Sequence, residues 1–256
     1  MTSAKRSSWE EWARVDPLWS IVTYDGREFG KWGPDDFFHS GKETIDSLWA
    51  TAERLGLPGR TARGLDYGCG VGRLTRALNQ HLDSVIGMDI APSMIRLAQE
   101  YHAAYDGLSF VVQEASTLER FGDGSFDVVC CLLVLQHLPS DECILACINE
   151  FLRVLAPQGL LLLQLPEEVP PVPIPTGLRS QLRPRTRLAE RLSRMGVSPG
   201  LLYRHFNWKP EMTMRTISRD DLDGVLESGG GRIAFCSGPV DDRSEIRNVF
   251  YFITRD

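Results

Sequence analysis

No apolar run in the 256-residue sequence is long enough to cross a membrane. The longest, Val128–Leu135, has eight residues, whereas a span needs about 20. The opening segment Met1–Asp16 is polar and carries Glu10, Glu11 and Asp16. It therefore reads as neither signal peptide nor presequence, and the expected location is cytoplasmic. No C-x-x-C pair occurs among Cys69, Cys130, Cys131, Cys143, Cys147 and Cys236. Free thiols in a reducing compartment are expected. Cys143 and Cys147 would share a helix face, but two thiolates without a third ligand make a poor zinc site, so no metal is expected. Basic charge is also short: 28 Lys plus Arg stand against 34 Asp plus Glu, a net charge of −6. Whole-protein attraction to nucleic acid is not expected from that balance. No internal repeat is visible.

What is present divides into four stretches. Residues 1–60 hold nine of the 23 aromatics, including five of the six tryptophans. Residues 61–165 alternate short apolar runs with amphipathic ones. Residues 166–215 are proline-rich and then basic, and 216–256 return to a helix-then-strand pattern. Within the second stretch, Arg63–Tyr67, Ser84–Met88, Leu108–Val112, Phe126–Leu133 and Leu160–Leu165 read as strands. Helical spacing follows Gly72, opens at Pro92 and covers Asp141–Leu155. Strands alternating with helices predict an α/β fold, a doubly wound parallel sheet wrapped on both faces. The crossover rule places the loops after each strand along one edge, where ligands bind.

The fragment Leu65-Asp66-Tyr67-Gly68-Cys69-Gly70-Val71-Gly72 carries the chemistry. Its glycines permit a tight turn and close approach of a ligand to the backbone. It follows a strand, opens a helix, and precedes an acidic strand end, Asp89, by 17 residues. A carboxylate there suits a ribose diol. A dinucleotide fingerprint needs glycine at 73, where this chain has arginine. Asp66 before the loop disfavours a pyrophosphate and suits an ammonium group. The chemistry asks for a nucleoside joined to an amino acid.

This fragment resembles motif I of the class I S-adenosylmethionine-dependent methyltransferases. The likeness continues in order. Gly87–Ile95 resembles the segment that binds the ribose and flanks the adenine. Gln113-Glu114-Ala115 stands where many members have Gly-Asp-Ala. Gly124–Val129 resembles the strand-four motif, and Glu150–Gly159 the helix leading into strand five, with Gln158 in place of the first glycine of the usual Pro-Gly-Gly turn. Within the family, the chain is similar to the small-molecule enzymes of types 11 and 12. The resemblance implies a Rossmann-like, seven-stranded, mostly parallel sheet. It implies S-adenosyl-L-methionine as cofactor and S-adenosyl-L-homocysteine as product. It places Asp66, Gly68, Cys69, Gly70 and Gly72 around the methionine end, Asp89 on the ribose, and Ile90, Met94, Glu114, Ala115 and Leu132 about the rest of the cofactor.

Residues 1–60 are expected to form an N-terminal helical lid, 61–165 the cofactor-binding core, 166–215 an insert between strands five and six, and 216–256 the completion of the core. Lys31-Trp32-Gly33 and Phe37-Phe38-x-x-Gly41 stand out in the lid. Trp32 is the candidate to face the cofactor, with Phe37 and Phe38 as alternatives. His137, past strand four, is the candidate general base for an acceptor hydroxyl, with Glu167 or Glu168 as the alternative. Leu178–Arg215 carries nine Lys/Arg and two Glu, a charge of +7. That favours an anionic or carrier-bound acceptor, although a basic solvated helix or a peripheral membrane contact would show the same charge. The expected function is methylation of a small molecule, a hydroxyl of a specialised metabolite or glycan, by a monomer or homodimer. An RNA or protein methyltransferase, and a cofactor-binding fold used for other chemistry such as cyclisation, are the alternatives.

Overall fold

The computed structural model describes residues 3–24, 26–113, 117–169, 188, 191–192, 195–197, 199–206, 214–238, 240–241 and 247–255. Five short apolar segments form a parallel set: β1 (Arg63–Tyr67), β2 (Ser84–Asp89), β3 (Leu108–Val112), β4 (Phe126–Cys131) and β5 (Leu155–Pro166). β6 (Gly231–Cys236), the two-residue β7 (Val240–Asp241) and β8 (Arg247–Arg255) complete the sheet. The order is β3-β2-β1-β4-β5-β8-β6, with β8 antiparallel to both neighbours and β7 paired to its edge. The seven-stranded, doubly wound sheet is as expected; the two-residue β7 is an addition to it.

Alternation along the central strands decides which helices cover which face. Val128 and Cys130 of β4 pack with Leu160 and Leu162 of β5 against α3 (Pro34–Arg54) and α4 (Arg73–Leu78). Val129, Cys131, Leu161 and Leu163 pack on the other face against α6 (Asp141–Val154). β4 is buried along its whole length, as an apolar strand between two helix layers must be. The Ser140 side chain caps α6 by accepting from the Cys143 N–H, and Asp141 and Glu142 favour its positive end.

Two strand boundaries move most from expectation. β4 stops at Cys131 rather than Leu133, because Leu133 turns to φ 63 and leaves the ladder. β5 starts at Leu155, and its pairing with β4 jumps from Phe126↔Leu155 to Val128↔Leu160. The extra residues loop out around Gln158, whose φ of 59 is one that glycine adopts freely.

The N-terminal stretch is helical: α1 (Ser3–Val15), α2 (Pro17–Ile21) and α3. Gly41 lets α3 cross α4 closely, since a Cβ there would lie 2.5 Å from the Arg73 carbonyl oxygen. α5 (Pro92–Tyr101) presents Ser93 to α1, where the Ser93 N–H donates to Glu10 at 3.1 Å and the Ser93 hydroxyl also donates to it. Of the insert, α7 (Pro199–Phe206) is described, and α8 (Arg219–Gly229) follows it. α7 packs on α1 through Tyr203, so α7 and the N-terminal helices build one cap. Arg183, Arg185 and Arg187 lie outside the described residues.

Candidate active site

The carboxyl ends of β1, β2 and β4 open into one cavity beneath the cap. Gly68, Gly70, Asp89, Ile90, Met94, Leu132 and His137 all line it. These residues, separated by up to 69 positions in the chain, are among those the sequence pattern singled out.

Gly68 and Gly70 take φ of 77 and 54. A Cβ at Gly68 would lie 2.4 Å from Val134, and one at Gly70 would lie 2.5 Å from Ile21. Only glycine admits the loop between the post-β4 turn and α2. The Gly68 and Cys69 N–H groups both donate to the Met88 carbonyl, tying the loop to β2. Asp89 is fixed from two sides: it accepts from the Gly70 N–H at 3.0 Å and from the Ala91 N–H at 2.8 Å. A carboxylate has about four lone-pair sites, so capacity remains for hydroxyl donors from the cavity. Burial raises its pKa to about 6, against the lowering effect of those N–H groups.

Asp66, Cys69, Gly72 and Trp32 stand behind the wall rather than on it. Tyr67 and Asp66 point to opposite faces of β1; Tyr67 reaches the cavity, while Asp66 turns to α4 and accepts from the Thr75 hydroxyl at 2.6 Å. Asp66 is fully buried and its pKa is also raised to about 6 by desolvation. It braces the first turn of α4 and is not among the residues that line the cavity. The buried Cys69 thiol is held well above its ordinary pKa by desolvation, so it packs as a neutral side chain. Gly72 sits over His102, whose Nε2 meets the Val71 carbonyl at 3.1 Å from below the loop. Glu114 and Ala115 lie outside the described residues.

The lid differs from the expected one. Phe37, Phe38 and Trp32 are buried in an aromatic cluster of the cap. The Trp32 indole N–H donates to the Val22 carbonyl at 3.2 Å, and that of Trp19 donates to the Tyr24 carbonyl at 3.1 Å. The two indoles thereby pin the strip Ser20–Tyr24, which does line the cavity, as does Trp9 of α1. An aromatic-rich terminus signals such a cap, but which ring faces a ligand depends on packing that no local pattern encodes. Gln113, Gln136, Met214 and Asn248 were also missed as lining residues.

His137 ends the 3₁₀ turn Leu135–His137, and its ring meets Trp9 edge-on at 5.3 Å. It is thus presented at the seam between core and cap. Glu167 instead pairs with Arg247 at 3.3 Å and is not among the lining residues. A group that can accept a proton therefore faces a cavity whose other end holds a fixed carboxylate and open backbone. Among the described residues, no cluster of three metal-ligating side chains occurs and no helix is long and apolar enough to cross a membrane.

Residues 65–163 match the family model of the methyltransferase domain. Ubiquinone biosynthesis O-methyltransferase of Xanthomonas campestris pv. campestris is 36% identical over 114 residues, covering 44% of this chain and 45% of that protein. The protein of the same name from Pseudomonas paraeruginosa is 33% identical over 114 residues, 43% of this chain and 46% of its own. The chain thus spans under half the length of these curated relatives. Magnesium protoporphyrin IX methyltransferase from Synechocystis PCC 6803, solved with bound SAM, superposes with a TM-score of 0.62 at 20% identity, over 100% of this chain and 99% of that one. The PH0226 protein from Pyrococcus horikoshii OT3 gives 0.59 at 21% identity, over 96% and 99%. At these identities the likeness is one of fold.

Proposed function

We propose that the cavity holds S-adenosylmethionine and that the protein transfers its methyl group to a small-molecule acceptor. The observation that carries this reading is the junction of the Gly68–Gly70 backbone, the doubly anchored Asp89 and His137 in one cavity. The residues fit the cofactor: the loop offers backbone where side chains are excluded, and Asp89 offers oriented acceptor oxygens to a ribose. The N-terminal cap, through Trp9 and the strip Ser20–Tyr24, shields the reacting end from water. When bound, the cofactor supplies the activated carbon. The chain then has to hold a nucleophile in line and take its proton. His137 is placed for that proton when the acceptor is a hydroxyl. Asp66 and Thr75 serve by holding the loop.

Incubation with methyl-labelled cofactor tests the reading against a metabolite extract, an RNA pool and a protein pool. Label entering low-molecular-mass products supports it. Label confined to RNA or protein, or entering none of the three while cofactor is bound, overturns it.

A further inference from the structure

We propose that Glu10 is a positioning residue for His137: by accepting from Ser93 it fixes where α1 crosses α5, and so sets Trp9 against the His137 ring. The proposal rests on the methyl-transfer reading above, in which His137 takes the acceptor's proton, and assigns the group that aims it.

The first N–H groups of a helix have no partner inside it, and an N-cap side chain ordinarily takes one of them. The N-cap of α5 is Ala91, which has no such side chain. Glu10 supplies the acceptor from another helix. Its Oε2 accepts from the Ser93 N–H at 3.1 Å, and its Oε1 accepts from the Ser93 hydroxyl. Its negative charge also suits the positive end of α5. Arg14, one turn along α1, holds the same carboxylate at 3.2 Å. The partner is a fixed point of the core, because Asp89 accepts from the Ala91 N–H just before α5 begins. Met94, the residue after Ser93, lines the cavity.

Glu10 itself is not among the lining residues, but its neighbour Trp9 is. Successive residues of a helix point about 100° apart, so the rotation of α1 that turns Glu10 onto Ser93 also decides where Trp9 points. Trp9 points to His137, and the two rings meet edge to face at 5.3 Å. The backbone of His137 is already held: its N–H donates to the Val134 carbonyl at 3.0 Å, and the Arg215 N–H donates to the Gln136 carbonyl at 2.9 Å. An imidazole on a fixed backbone still turns about its side-chain torsions, and a base works only when its nitrogen is aimed at the proton. The Trp9 ring restricts that turning. The chain of contacts therefore runs from the start of α5 through Glu10 and Trp9 to the ring of His137.

The test reads the His137 ring-proton signals by NMR in the ligand-free full chain, assigned by their absence from His137→Gln. Trp9→Leu gives their positions without the indole. Glu10→Ala should move them most of the way to those positions. Glu10→Gln keeps an acceptor for Ser93 and should bring them back towards wild type. Ser93→Asp sets a like charge against Glu10 from the other side and should displace them as Glu10→Ala does. Signals that stay at their wild-type positions in Glu10→Ala, while the melting temperature falls, make Glu10 a structural tie and overturn the proposal. So does a Glu10→Gln that behaves as Glu10→Ala, or a Trp9→Leu that leaves the signals in place. Should Glu10→Ala fail to fold, Ser93→Asp decides: displaced signals support the proposal, and wild-type positions overturn it. S-adenosylhomocysteine binding is measured separately by calorimetry. A wild-type protein that does not bind it overturns the methyl-transfer reading, and with it the role of the aimed ring, whatever the ring signals show.

Discussion

The sheet core and the cap are held together by different physics. In the core, strand alternation sends each apolar side chain to one of two helix layers, and backbone ladders satisfy the polar groups. The cap has no sheet. Its aromatic rings interlock instead: Trp12 meets Tyr203 edge to face at 5.8 Å, and Trp12 with Trp19 at 5.6 Å and Phe29 with Tyr203 at 4.6 Å pack as tilted pairs. A few polar ties then fix its position, chiefly Glu10 to Ser93 and Asp16 to Gly30 and Tyr203. The core builds the binding edge, and the cap covers it.

That contrast predicts where substitutions act. The largest effect belongs to the seam. His137→Gln should leave cofactor affinity intact and lower kcat by at least ~10²-fold for a hydroxyl acceptor, as loss of a general base does. A kcat within about threefold of wild type across the pH range would leave positioning as the whole mechanism. Next comes the cap. Tyr203→Phe removes the hydroxyl that donates to Asp16 at 3.3 Å. The loss of about 1 kcal/mol should raise the open fraction of the cap, and the cofactor off-rate in stopped flow, by roughly fivefold. An unchanged off-rate with a lowered melting temperature would show that the cap is structural and does not gate. The smallest effect lies in the core. Gln158→Gly removes left-handed strain at φ 59 but frees the unfolded chain. Chemical denaturation should show a gain of no more than about 1 kcal/mol, with cofactor affinity unchanged.

The same division explains what could be read in the sequence. Motif I, Asp89 and the strand-four segment are local strings whose geometry follows from strand, turn and helix rules, so their convergence at one sheet edge was legible. For Asp66 the pattern gives its position on β1 but not its bond to Thr75. Trp32 stood out through its Lys-Trp-Gly string, and Trp9 belongs to no such string. Only the tertiary path shows that one indole reaches back to Val22 while the other ring meets His137. Met214 and Asn248 gave no signal: their approach to the cavity is visible only once the tertiary path is known.

The claim on which the rest depends is that Asp89 and the glycine loop hold the cofactor. Calorimetric titration of S-adenosylhomocysteine into wild type and Asp89→Ala tests it most directly. Two charge-assisted hydrogen bonds, at roughly 1.5–3 kcal/mol each, should be lost, a fall of at least ~10²-fold in affinity. The pH dependence adds a second signature. Burial raises the Asp89 pKa from 3.8 to about 6. The ligand-free folded state therefore holds its proton more tightly than the unfolded chain, and the contribution of Asp89 to stability declines as pH rises between those values. Cofactor affinity should move the opposite way, rising as the carboxylate forms near pH 6, and Asp89→Ala should flatten that rise. Equal affinity in the two proteins, with the same pH profile, would contradict the assignment.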